Sequence, residues 1–150
     1  MTLIPKQRAQ ALAGSLHSLI VRQQGGWECE AASLLPDLCA GPLQDAHMIP
    51  RQAGHHITML TDHIDGIRCS WVLCGRHHRR IDTTRPDLWA RLAIGTVGMD
   101  HMGELAERLE AENPFQGLSR QRWWNEQYAS LLQAAKELET DLSTIPKKWR

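Results

Sequence analysis

A chain of 150 residues, 42% of them hydrophobic, is the size of one domain and apolar enough to build a core, which excludes wholesale disorder. Seventeen basic residues balance seventeen acidic ones, which excludes a polycationic coat protein or a polybasic membrane binder and leaves nucleic-acid contact to local clusters. No apolar run approaches the roughly 18 residues needed to cross a bilayer, and the amino terminus carries no hydrophobic signal segment, so a cytoplasmic protein without membrane contact is expected.

Residues 5–23 carry Ala9, Leu12, Leu16, Leu19 and Ile20 at helical spacing, and Gly25 and Gly26 would end that helix, which defines an N-terminal unit over residues 1–24. From Trp27 to Thr84 the pattern breaks into short extended pieces punctuated by Pro36, Gly41, Pro42, Pro50, Gly54 and Gly66, and little regular structure is expected. Here lie Cys29, Cys39, Cys69 and Cys74 together with His47, His55, His56, His63, His77 and His78. In a reducing compartment that mixture favours zinc over disulfides. So polar a segment needs a staple, and a structural zinc supplies an apparent binding free energy of about 10–16 kcal/mol.

In VLCGRHHRRID, residues 72–82, Cys74 and His77 stand two residues apart at the start of an expected short helix. Cys29 and Cys39 flank a turn around Pro36 and complete a set of three cysteines and one histidine. Cys69 competes for a place in that set, but an extended stretch through Cys69, Ser70 and Trp71 suits it better as a small buried hydrophobe. His78 and Asp82, four residues apart, share one helix face and can share a second metal ion. In QDAHMIPR, residues 44–51, an expected strand ending at Pro50 points Asp45 and His47 to the same side. Arg76, Arg79 and Arg80, joined by Arg85 and by Arg51 from the strand side, form a cationic cluster suited to phosphate geometry.

Residues 85–150 return to helices: Leu88, Trp89 and Leu92 before Gly95, then Met102, Leu105 and Leu109 behind an Asp100 cap. Ser119 is expected to cap a longer helix whose stripe runs through Trp124, Tyr128, Leu131, Ala135, Leu138 and Leu142. Packed inward, that stripe is core; left exposed, it would join two copies as a homodimer.

The strings AHMIP and CGRHHRRID together resemble the HNH endonucleases of the ββα-metal fold, in which two short strands and a helix surround one divalent cation. The resemblance covers Trp27 to Thr84. It implies an α+β, mostly helical protein: a zinc-stabilised ββα-metal core over residues 25–84, between the N-terminal helix and the helical extension of residues 85–150. It further implies that His47 is the general base and that His78 and Asp82 hold a catalytic Mg2+ or Mn2+, with Asp45 contributing. Cys29, Cys39, Cys74 and His77 match the structural Zn2+ knuckle of many members. The phage-encoded recombination nucleases look like the nearest branch, since they pair a small HNH module with helical flanks and include enzymes acting on branched DNA.

Two positions depart from the pattern. Ala46 stands where a metal ligand often precedes the base, and no asparagine occurs between His47 and His78, so bracing the loop falls to Asp62, His63 or Asp65. His55 and His56, beside Gly54, are placed in a loop with surface or supporting roles. The alternative is a non-catalytic zinc module that binds DNA or a protein partner. A small-molecule metalloenzyme would need an organised apolar pocket that the pattern lacks.

Overall fold

The computed structural model describes residues 2–50, 54–82 and 85–150, with the side chain of Asp82 excepted. Arg51 lies outside the described residues. The architecture is α+β: α1 (Lys6–Gln24), β1 (Leu43–His47), α2 (His55–Thr58), α3 (Asp62–Asp65), β2 (Ser70–Cys74), α4 (Gly75–Asp82), α5 (Pro86–Thr96), α6 (Met99–Leu109), α7 (Arg120–Glu137) and a closing 3-10 turn, Lys147–Trp149. Among the described residues no helix is long and apolar enough to cross a membrane.

The strands pair antiparallel, with Leu43 opposite Cys74 and His47 opposite Ser70. Every residue of β2 is buried, because SWVLC carries apolar or small side chains on both faces and helices cover both. One core lies on the α5–α6 side, where Ala46, Met48, Trp71 and Leu73 meet Leu88, Leu92 and Leu105. The indole N–H groups buried there are satisfied: Trp71 Nε1 donates to Thr96 Oγ1 at 2.8 Å and Trp89 Nε1 to the Met48 carbonyl at 3.2 Å.

The second core joins α1 to α7. Leu12, Leu16 and Ile20 pack against Trp124, Tyr128, Leu131 and Ala135, so the stripe that could have joined two copies is covered within the chain. The two helices run parallel: the Ile4 N–H donates to Asn125 Oδ1 at 2.8 Å at one end, and Gln23 Nε2 to the Leu138 carbonyl at 2.7 Å at the other. Ser119 caps α7 by accepting from the Arg122 N–H at 3.2 Å.

Local readings of the sequence differ from the structure at several places. β1 stops at His47, short of Pro50, and α7 stops at Glu137, so Leu138 and Leu142 lie beyond it. The middle segment holds more regular structure than its turn residues suggest, because the strand pair is covered on both faces by helices remote in sequence. His55 and His56 open the one-turn helix α2 rather than a loop, since burying Ile57, 1% exposed, winds the chain there. α5 continues through Gly95, where an added Cβ would lie 2.8 Å from the Leu34 side chain, so glycine serves close packing and not termination. The residue capping α6 is Gly98, at φ 85°, and Asp100 sits in the first turn, where a carboxylate favours the helix dipole.

Candidate metal centre

Four chain segments of unlike conformation converge at the joint between β2 and α4. Cys74 ends β2, and His77 lies in the first turn of α4. The Gly75 N–H donates to the Pro42 carbonyl and the Arg76 N–H to the Ala40 carbonyl, both at 3.0 Å, which fastens the incoming loop to the helix start. That loop brings Cys29 and Cys39. The ligand atoms of Cys29, Cys39, Cys74 and His77 all lie within 4.8 Å of one another.

His77 Nδ1 stands 3.2 Å from Cys29 Sγ, 3.7 Å from Cys39 Sγ and 3.3 Å from Cys74 Sγ. Zinc bonded tetrahedrally to sulfur at about 2.3 Å and to nitrogen at about 2.0 Å separates its ligand atoms by roughly 3.5–3.8 Å, so this cage fits the ion. The far side of the ring completes the arrangement. His77 Nε2–H donates to the Asp37 carbonyl at 2.8 Å, which leaves the Nδ1 lone pair facing the sulfurs, as a metal-bound imidazole requires.

The sulfurs are electrostatically unequal. Partial desolvation, and then the neighbouring Cys29 and Cys74 sulfurs, push the Cys39 thiol up to about 11. Burial works against the Cys74 thiolate, yet the backbone N–H groups of His77 and Ala40 bring its pKa down to about 6. A bound dication is what lets three crowded sulfurs ionise together. The cage could therefore bind a metal such as zinc. Cys69 is outside it: 1% exposed, its thiol donates to the Leu60 carbonyl at 3.3 Å, in keeping with a buried small hydrophobe.

Two arginines of the cationic cluster also support this loop. Arg76 Nη1 donates to the Leu38 carbonyl at 3.2 Å, and Arg80 Nε pairs with Asp37 Oδ2 at 2.9 Å. Arg79 is exposed on the same helix, while Arg85 forms a bidentate pair with Asp87.

A second constellation occupies the other face of β1. Asp45 and His47, two residues apart, line a cleft of about 240 Å³ with His17 of α1, His55 and Thr58 of α2 and Trp124 of α7. Asp45 accepts from Ser18 Oγ at 2.8 Å and faces His17 Nδ1 at 3.8 Å. The rings of His17 and His47 lie nearly parallel, 5° apart, with centroids separated by 6.3 Å. Burial opposes the charged form of His17, but the Asp45 carboxylate, the Cys69 sulfur and the Leu60 carbonyl outweigh it and raise the pKa. Burial likewise opposes the Asp45 carboxylate, and His17 and Ser18 hold its pKa well below the usual range.

His78 stands elsewhere: its Nδ1 is 2.7 Å from Gln44 Oε1, and strand alternation puts Gln44 on the face opposite Asp45 and His47. The structure thus joins Asp45 to His47 and places His78 against the opposite face of the strand. Asp82 ends α4, with its side chain outside the described residues. Among the described residues the sole close gathering of three or more Cys, His, Asp or Glu ligand atoms is the three-cysteine, one-histidine cage.

Of the residues considered for bracing the loop, Asp65 accepts at Oδ2 from the Thr61 N–H at 2.8 Å within its own turn, while His63 pairs with Glu137 of α7 at 2.7 Å. His17 and Ser18 escape a motif search because they lie on a regular amphipathic helix remote from the histidine-rich segment. The available signal was a histidine beside Leu16 on the stripe that α1 buries. Comparison with protein-family models, curated proteins and solved structures gives no match, so the geometry of these two constellations carries the functional reading.

Proposed function

We propose that this protein is a metal-dependent DNA endonuclease of the HNH type that hydrolyses phosphodiester bonds, built on a zinc-stabilised ββα core. The single observation that carries the reading is the three-cysteine, one-histidine cage at the β2–α4 joint, next to antiparallel β1 ending at His47. Such a cage would fix the first turn of α4, the helix that carries His78 and Asp82.

In this reading His47 takes a proton from water, and the hydroxide attacks phosphorus in line with the departing sugar oxygen, which leaves with a proton from solvent. The Asp45 carboxylate lines the same cleft as His47, two residues away on the same strand face. His78 and Asp82 would hold Mg2+ or Mn2+; that ion, when bound, supplies neutralisation of charge on the phosphoryl and leaving oxygens. The exposed Arg79 would contact substrate phosphate, and such contacts position a backbone without reading bases, so branched or recombination-intermediate DNA is the substrate class we favour.

The test is cleavage of supercoiled, linear and branched DNA with Mg2+ or Mn2+ by the intact protein and by His47→Ala. A general base contributes about 10²–10⁴-fold, so the variant should lose cleavage by that factor while keeping its fold. Cleavage equal in both proteins would remove His47 as the base. One observation favours a second reading, a non-catalytic zinc module binding DNA or a protein partner: His78 Nδ1 is engaged by the Gln44 side-chain oxygen at 2.7 Å. DNA binding without cleavage under every metal condition would establish that reading instead.

A further inference from the structure

The charge balance of the whole chain conceals a segregation. No acidic residue occurs in residues 1–27, in 114–125 or in 142–150, whereas Lys6, Arg8, Arg120, Lys147 and Lys148 fall in those segments. The fold brings the three together. The Ile4 carbonyl accepts from Asn125 Nδ2 at 2.9 Å and from Gln121 Nε2 at 3.2 Å, which sets the first turn of α1 beside the first turns of α7. The Tyr128 hydroxyl, midway along α7, donates to the Trp149 carbonyl, and the Arg8 guanidinium over the Trp149 ring brings the C-terminal turn beside the start of α1.

The resulting surface is cationic in detail as well as in count. The Arg8 guanidinium and the Lys148 ammonium both approach the Trp149 ring, 5.4 Å and 5.3 Å from its centroid, while Arg120 lies 3.5 Å above the Phe115 ring. Lys6, Arg8, Arg120, Lys147 and Lys148 are all exposed. Arg122 is partly neutralised by Glu126 at 3.3 Å, and Arg150 folds back onto the Ser143 carbonyl, so neither is counted. Because α1 and α7 run parallel, both amino termini lie at this end and add their partial positive charge. Arg8 and Lys148 thus place two positive charges near one indole, and a nearby anion would be attracted to both.

The same two helices also line the cleft over β1. Gln10, Ala11 and Gly14 of α1 and Trp124 of α7 line that cleft, and they follow Arg8 and Arg120 within two turns along the same two helices. Arg120 precedes Trp124 by four residues, which places both on one side of α7.

We propose that the end formed by the first turns of α1 and α7 and by Lys147–Arg150 is a docking surface for the phosphate backbone of DNA, and that it leads the strand along the two helices to His47. The route to His47 rests on the nuclease reading; the docking does not. A path of phosphates is the occupant that suits cations spread over three segments, since each meets a separate charge instead of converging on one.

The experiment measures binding of fluorescein-labelled duplex and single-stranded oligonucleotides by anisotropy across a salt series. The intact protein is compared with a triple variant, Arg120→Glu, Lys147→Glu and Lys148→Glu, and with a control reversed elsewhere, Arg91→Glu and Lys136→Glu. The triple variant should bind duplex roughly 10- to 100-fold more weakly, with the salt slope reduced by about 3, and the control should match the intact protein. If charge reversal disturbs the fold by circular dichroism, the corresponding glutamine substitutions take its place, with the same loss of slope.

Unchanged affinity and slope in the triple variant would overturn the proposal. So would an intact protein that ignores both oligonucleotides and binds vesicles of phosphatidylserine in phosphatidylcholine. The two readings fail separately. Patch-dependent binding without cleavage sinks the nuclease and keeps the surface, whereas His47-dependent cleavage indifferent to the patch does the reverse.

Discussion

His77 donates its Nε2 proton to the backbone carbonyl of Asp37 at 2.8 Å, and that bond decides which nitrogen of the ring faces the three sulfurs. Asp37 belongs to the loop between Cys29 and Cys39, so the segment that delivers two sulfurs also orients the one nitrogen. Its carboxylate takes Arg80 from the same helix, and loop and helix are tied at three points: through the sulfurs, the imidazole and the guanidinium. A metal held in the cage would therefore also fasten this loop to α4.

Purified protein should carry one tightly held zinc per chain, measured by elemental analysis, and cobalt substitution should give the absorption bands of a tetrahedral site with three sulfurs. Cys74→Ser and His77→Ala should lose the ion and the order of residues 25–82. The binding free energy at stake, about 10–16 kcal/mol, matches or exceeds the stability of a typical domain. A chain without metal that keeps the same circular dichroism and melting temperature would show the cage to be incidental.

Cys69→Ala should leave the zinc content unchanged. The substitution removes one sulfur from a buried site and frees the Leu60 carbonyl of its thiol donor, a loss on the order of 1 kcal/mol in denaturant melts. Loss of the ion from this variant would move Cys69 into the ligand set.

Asp45→Asn should destabilise the fold by roughly 1–3 kcal/mol, because it removes the carboxylate facing His17, 1% exposed, and the buried imidazole must then give up its proton. The pH dependence follows from the two directions. The lowered pKa of Asp45 gives stability present above its unfolded pKa of about 4 and lost as pH falls through the folded value. The raised pKa of His17 gives stability complete below about 6.5 and lost as pH rises through the folded value. The gap between parent and variant in urea midpoints should thus be widest between about pH 4 and 6.5 and narrow on either side. A gap constant with pH would mean the pair is not ionised.

Gly25→Ala should cost about 1–3 kcal/mol although its backbone, at φ −76°, accepts any residue. The new Cβ would lie 2.5 Å from Val72 Cγ2 and 3.2 Å from Val72 Cβ, so the end of α1 would be pushed off β2. Val72→Ala in the same chain should restore part of the loss, and absence of rescue would place the strain elsewhere.

Leu131→Ala should cost about 2–5 kcal/mol by opening a cavity between α7 and α1. Mass measurement in solution should report the same oligomeric state for parent and variant, since this face is already covered within the chain. A change of state would show that the stripe also serves a second copy.

Several features were legible locally. The stripes of α1 and α7, the Ser119 cap and the turn from Cys74 into α4 each depend on residues within a few positions of one another, and periodicity and capping chemistry report such things directly. The cage was legible too, because thiol and imidazole side chains are scarce and their clustering in one segment has few other uses. Glycine misled: Gly95 looks like a helix end, yet it answers to Leu34, sixty-one positions away in sequence.

The amino-acid sequence by itself determined that four sulfur and nitrogen ligands would be available beside a strand and a helix, because donor type and short-range spacing are properties of the chain alone. Only the tertiary structure decided that Asp45 faces His17 and Ser18, that His78 rests on Gln44, and that Lys6, Arg120 and Lys148 share one end. Those meetings depend on the packing of α1 against α7 and over β1, and contacts between segments so distant in sequence leave no periodicity to read.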